Sequence, residues 1–280
     1  MKSPRYEVRT EEDEAVVLDA TSTFLASRPV DHNVVATVLT DVAPYTGVGR
    51  YWWVSDGDEV AAVAISVPAG HRAALTAVST HAVDALGDAM AEDQAELPGV
   101  VGEAGAASRF AGRWAERRRL PVDPVEGGRL YRLGDLAAPP PVPGALRRAT
   151  PADEDLVALW AAGFRAETGD EADTVVNARH RLAAGRLWLW EDGEPVAMAS
   201  APAAVYGVAR VGVVYTPPDR RGRGYAAGVV AALSEHLLSG EADTCILYTQ
   251  LSNPTSNAIY QRLGYQAVAE ILTYRFRQPE

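Results

Sequence analysis

Between Pro218 and Ala227 the chain reads Pro-Asp-Arg-Arg-Gly-Arg-Gly-Tyr-Ala-Ala: three arginines interleaved with two glycines, running into an alanine-rich helical pattern. Paired glycines let a backbone turn until successive N–H groups point into one concavity. A helix that starts immediately afterwards aims its unpaired amides and positive dipole end at the same spot. This combination suits an anion such as phosphate. At an exposed surface the dipole contributes only about 0.3–1 kcal/mol, so several amide hydrogen bonds must supply most of the binding, with Arg220, Arg221 and Arg223 adding charge. An ordinary tight strand-to-helix turn accounts for the same residue types. The loop is not a P-loop, because no Gly-Lys-Ser/Thr follows. It is not the dinucleotide fingerprint either, since Gly228 falls one position late for the third glycine.

A second segment, Gln250 to Tyr265 (QLSNPTSNAIYQRLGY), adds a helix with legible ends. Asn253 suits the N-cap, Pro254 the first helical position and Gly264 the position just past the end. None of these roles requires a tyrosine at 260.

Two such segments need elements to position them, and the chain repeats its elements. Arg50 onward (RYWWVSDGDEVAAVAISV) aligns without a gap to Arg186 onward (RLWLWEDGEPVAMASAPA), each an aromatic strand, an Asp-Gly turn and an apolar strand. A short strand and a helical pattern precede each hairpin, with Thr10 and Thr150 as expected N-caps. Strand, helix, strand, helix and closing strands follow each one. The four prolines and the glycine between Leu136 and Gly144 mark a linker. The expectation is a duplicated α/β (α+β) protein with domains at 1–135 and 145–280, joined by a Pro-rich linker at 136–144.

Composition narrows the function. At 280 residues the chain is long enough for two cores. Its 26 Lys+Arg against 37 Asp+Glu give a net charge of -11, which disfavours nucleic acid as a partner. Cys245, the lone cysteine, sits in a strand-like run and reads as a buried reduced thiol. The five histidines lack metal-ligand spacing, so no metal is expected. Neither a secretory signal nor a membrane span is visible, and the expected location is cytoplasmic, as a monomer or homodimer.

From about Ala145 onward the chain resembles the GCN5-related N-acetyltransferase superfamily. The resemblance rests on VGVVYTPP running into RRGRGYA, similar to that family's pyrophosphate loop, and on NPTSNAIYQRLGY, similar to its Asn-x-x-Ala-x-x-x-Tyr-x-x-x-Gly-aromatic segment. Ser256 stands where the family often has alanine. The resemblance implies two tandem domains of mixed, mostly antiparallel sheet flanked by helices, with the fourth and fifth strands of the second splayed. It implies acetyl-coenzyme A (acetyl-CoA) as donor and direct attack of a primary amine, from a small-molecule or peptide acceptor, on the thioester. The backbone of Val214, Tyr215 and Thr216 would pair with the pantetheine arm. Arg221, Gly222, Arg223, Gly224, Tyr225, Ala226 and Ala227 would wrap the diphosphate. Asn253 and Asn257 would lie beside the cofactor, and Tyr260 near its sulfur.

The first half lacks both the Arg-Gly-x-Gly loop and the helix tyrosine, so it reads as a degenerate copy whose role is to wall the substrate cleft or stabilise the pair. A phenol of pKa near 10 can protonate a departing thiolate, which makes Tyr260 the candidate general acid. Half-buried packing is its alternative. An acceptor amine of pKa about 7.7–8.0 costs only around 1 kcal/mol to deprotonate at pH 7 and needs no protein base. Glu167, Asp170, Glu171 and Asp173 are the candidates if one exists, against a solvated acidic loop. Amides near Val214 are candidate donors to the carbonyl. A protein that binds acyl-coenzyme A as a sensor, without turnover, is the alternative function.

Overall fold

The structure is a computed structural model and describes residues 6–41, 47–68, 71–77, 79–93, 97–169 and 174–277. The chain divides into two compact units: one of 1–129, 250–252 and 269–280, the other of 130–249 and 253–268. Both follow the same element order, as the repeat in the sequence requires.

In the first unit, strand β1 (Tyr6–Glu11) leads to helices α1 (Glu14–Ser27) and α2 (Asn33–Thr40), then β2 (Arg50–Asp56), β3 (Glu59–Ser66) and β4 (Ala73–Ala77). Helix α3 (Thr80–Glu92), β5 (Gly99–Glu103), α4 (Ala104–Arg118) and β6 (Val122–Leu133) complete the copy. The second copy runs β7 (Ala145–Arg148), α5 (Glu154–Thr168), α6 (Thr174–Ala183), β8 (Leu187–Asp192), β9 (Glu194–Ser200), β10 (Val208–Tyr215), α7 (Tyr225–Leu238), β11 (Thr244–Gln250), α8 (Pro254–Arg262) and β12 (Tyr265–Phe276). Among the strand pairs whose register is described, β4 with β5 and β10 with β11 are parallel and the others antiparallel. The fold is therefore mixed α/β with mostly antiparallel strands, as expected.

Details at the element ends differ from the sequence expectation. Thr10 belongs to β1, and the cap of α1 is Asp13, whose carboxylate accepts from Ala15 and Val16. An acid three residues nearer the helix reaches the free amides that a threonine still in a strand cannot. Thr150 does open its helical turn, giving its N–H and hydroxyl to Asp153 at 2.8 and 3.0 Å. Helices α2 and α6 carry no strong end signals and were not foreseen.

The compact units also depart from the expected boundaries, because the copies exchange their last strands. Residues Gly99–Glu103 of β5 pair with Ile271–Arg275 of β12, so the end of the chain completes the first unit. Phe276 is buried there, its ring 5.2 Å from Trp114 and 6.4 Å from Phe110. Conversely Leu130–Leu133, the end of β6, belong to the second unit, where Tyr131 and Leu133 join Trp188, Val211, Leu233 and Tyr260 in the core. Backbone ladders are indifferent to sequence distance, so either closing strand satisfies the edge of β5 equally well.

The Pro-rich segment lies within the second unit as a strap. Gly134 and Ala137 donate to the carbonyls of Gly264 and Leu263 at 3.0 and 3.1 Å, and at the other end Trp190 Nε1 donates to Pro143 O at 2.8 Å. Among the described residues no helix is long and apolar enough to cross a membrane.

Candidate functional site

β10 and β11 start as a parallel pair, with Val208–Val211 opposite Thr244–Leu247, and the pairing ends at Val211. The cause sits on the other edge of β10. Gly212 faces Ser200 of β9 and Tyr215 faces Met198, so three steps on β10 match two on β9. The extra residue is a bulge, and Val213 within it has φ +49°, a left-handed conformation that is strained for a β-branched residue. Bulges bend the strand that carries them. Here the bend leaves Val214, Tyr215 and Thr216 without a partner in β11, and of these three Thr216 accepts at its carbonyl from Arg221 Nε. Thr216 Oγ1 is buried without any hydrogen-bond partner.

From Thr216 the chain passes through a 3-10 turn, Pro218–Arg220, into the glycine loop. Gly222 and Gly224 have φ +77° and +85°, the backbone that only glycine adopts cheaply. Gly224 is the N-cap of α7, and no side chain caps that helix. The first-turn amides of α7 at Tyr225, Ala226 and Ala227 therefore face the loop concavity. Arg221, Gly222, Arg223 and Gly224 are exposed.

The β8–β9 hairpin holds this loop from below. Tyr225 OH donates to Asp192 at 2.6 Å, a bond that raises the phenol pKa, and Arg220 donates to Glu194 at 2.5 Å. The strap touches the loop too, because a Cβ on Gly224 would lie 3.0 Å from Val142. Arg221 is held most fully: Nε donates to Thr216 O at 2.9 Å, Nη2 reaches both Glu167 oxygens at 2.6 and 2.7 Å, and the guanidinium lies 5.8 Å from the Tyr215 ring. Trp160, Gly163 and Glu167 form one stripe of α5 against these groups, with the Trp160 ring 6.4 Å from that of Tyr215.

On α8, Asn253 caps the helix by accepting from the Ser256 N–H at 3.0 Å. The Asn257 amide is engaged at both ends: Nδ2 donates to Asn253 O at 2.7 Å and Oδ1 accepts from Tyr131 OH at 2.8 Å. Gln261 donates to the same Tyr131 hydroxyl at 3.2 Å. Tyr260 is 7% exposed, edge-on to Tyr131 and Tyr265 with centroids 6.5 and 6.2 Å away. Burial pushes its phenol up to about 12, opposed by a hydrogen bond to Ser256 one turn back.

Every residue proposed from sequence for the donor site thus lies on the splayed end of β10, the glycine loop, the start of α7 or α8. Sequence reasoning missed Tyr131, Asp192, Glu194 and Val142. Asp192 was visible only as a turn residue, and nothing in the spacing of Tyr131 linked it to α8. Of the acidic candidates, Glu167 is an ion-pair partner, and Asp170, Glu171 and Asp173 lie outside the described residues. Cys245 is buried and its thiol is pushed up to about 12 by burial. Among the described residues no group of three or more His, Cys, Asp or Glu could hold a metal ion.

The first unit offers a contrast. Only Val78 and Ser79 separate β4 from α3, and the Ser79 hydroxyl caps that helix by accepting from Ala82 at 3.2 Å. Beyond it α3 and α4 are zipped by ion pairs: Arg109 to Asp84, Arg113 to Asp88, and Arg117 to Asp88 and Glu92. Among the described residues no ion pair joins α7 to α8.

These features define the fold of the GCN5-related N-acetyltransferases, present here twice. Residues 190–275 match the family model described as FR47-like protein. A GCN5-related N-acetyltransferase from Sphaerobacter thermophilus superposes with a TM-score of 0.62 at 16% identity, over 100% of this chain and 98% of its own. A GNAT-family acetyltransferase from Colwellia psychrerythraea gives 0.60 at 13% identity over 97% and 100%. A tandem GNAT protein from the clavulanic acid biosynthesis pathway gives 0.55 at 13% over 99% and 100%. No curated protein matches the chain.

Proposed function

We propose that the second unit is an acetyl-CoA dependent N-acetyltransferase acting on a primary amine. The observation that carries this is the parting of β10 from β11 at the Val213 bulge, directly beside a glycine loop that feeds an uncapped helix. The residues present fit coenzyme A: a diphosphate suits the amides from Gly222 to Ala227, and the backbone of Val214–Thr216, unpaired with β11, suits the pantetheine amides. The orphaned Thr216 hydroxyl gives that edge a further polar group in need of a partner. Bound there, acetyl-CoA supplies an activated acetyl thioester.

Tyr260 is the proposed proton source for the sulfur. Its raised pKa keeps the phenol protonated at neutral pH. Full transfer from a group near 12 to a thiolate near 8.5 costs roughly 5 kcal/mol, so its contribution begins as a hydrogen bond to the sulfur and transfer requires the site to lower that gap. In the ligand-free protein Glu167 is paired with Arg221, and an acceptor amine of low pKa, already partly neutral at pH 7, needs no protein base, whereas a lysine side chain does.

Thiol release measured with acetyl-CoA against a panel of amines tests the proposal. Release that depends on the amine supports it. Saturable binding of coenzyme A with release no faster than background hydrolysis would instead make the protein a sensor.

A further inference from the structure

The Glu167–Arg221 pair is unusual in being built onto an anion-binding loop. Arg221 is one of three arginines there, and its Nη2 is shared by both oxygens of a carboxylate from a different element, α5. Its Nε is spent on Thr216 O. Both side chains are nearly half exposed, at 46% and 45%, so an incoming solute can reach the pair. The carboxylate thus lies on the guanidinium of a loop whose amides, at Gly222, Gly224 and the start of α7, are arranged for another anion.

We infer that Glu167 is a resident competitor at the donor site: its carboxylate holds Arg221 in the ligand-free protein, and the donor's diphosphate displaces it from the guanidinium on binding. The inference rests on the donor loop proposed above. Two consequences follow from charge alone. Glu167 lowers donor affinity, because a diphosphate must either displace a like charge or bind beside it. It also keeps Arg221 extended along Tyr215 rather than collapsed onto another acid of a protein with net charge -11. Displacement frees the C-terminal end of α5 from the loop, so donor binding reports directly to that helix.

The test is calorimetric titration of coenzyme A into the full chain, its Glu167→Gln and Arg221→Gln variants and the double variant. Removing one negative charge several ångströms from a diphosphate tightens binding by about 3–10-fold in Glu167→Gln. Arg221→Gln weakens it, and the added Glu167→Gln change then has little further effect. Equal or weaker binding by Glu167→Gln would overturn the inference while leaving the donor site intact. A gain that persists in the Arg221→Gln background would also overturn it, since the effect would then be a general field and not an exchange at Arg221. If the unaltered chain binds no coenzyme A, the donor loop itself is wrong and the inference falls with it.

Discussion

Gly222 and Gly224 share a left-handed backbone but not a neighbourhood, and comparing their alanine variants separates conformational strain from packing. A Cβ on Gly222 would meet nothing within 4 Å, so Gly222→Ala carries only the left-handed penalty. That penalty is about 1–2 kcal/mol, less the roughly 0.4–1 kcal/mol by which alanine restricts the unfolded chain, leaving a net loss of about 1 kcal/mol. A Cβ on Gly224 lies 3.0 Å from Val142 Cγ2, so the strap must give by a few tenths of an ångström. Overpacking of this kind adds about 1–2 kcal/mol, for a total of roughly 2–3 kcal/mol. Urea titration by tryptophan fluorescence reads both values as shifts in midpoint at constant slope. Val142→Ala, combined with Gly224→Ala, should recover about 1 kcal/mol as a coupling energy and recover nothing with Gly222→Ala. Coenzyme A affinity gives the functional readout. Tilting the first amides of α7 away from a phosphate loses at least one charge-assisted hydrogen bond, about 10–100-fold in Kd for Gly224→Ala. Equal damage from the two glycine variants, or no relief from Val142→Ala, would refute the account of how the strap and loop fit together.

Tyr260→Phe should lower turnover by about 10²–10⁴-fold while the Kd for coenzyme A stays within a factor of two or so; unchanged turnover would reassign Tyr260 to packing. Because burial raises the Tyr260 phenol to about 12, its stabilising effect is complete below pH 10 and is lost as pH rises from 10 through 12, worth ~3 kcal/mol. Alkaline urea titrations should therefore show a shallower pH slope for Tyr260→Phe than for the unaltered chain. Phe276→Ala, four residues from the end of the chain, should cost about 3–5 kcal/mol and appear as loss of amide protection in α4 and β5 of the first unit, not in α7. Calorimetry should find one coenzyme A per chain, since the turn before α3 lacks paired glycines and the Ser79 hydroxyl already caps that helix; a stoichiometry of two would refute this.

Local sequence fixed whatever depends on local geometry. The β8–β9 hairpin follows from its Asp-Gly turn, the ends of α8 from Asn253, Pro254 and Gly264, and the loop from glycines at the two positions that need positive φ. The doubled order of elements was equally plain, because hydrophobic periodicity is a property of each segment by itself. Tertiary structure alone decided the rest. Which closing strand pairs with β5 is a choice between two ladders of near-identical backbone chemistry, settled by where Phe276 finds its aromatic partners. The bulge at Val213 arises from register against β9, which a valine-rich strand does not announce. Glu167 meets Arg221, and Tyr131 meets Asn257, across 54 and 126 positions of sequence. A charge or hydroxyl has no preferred partner until folding brings one within about 3 Å, and packing of the surrounding apolar surface determines which one that is.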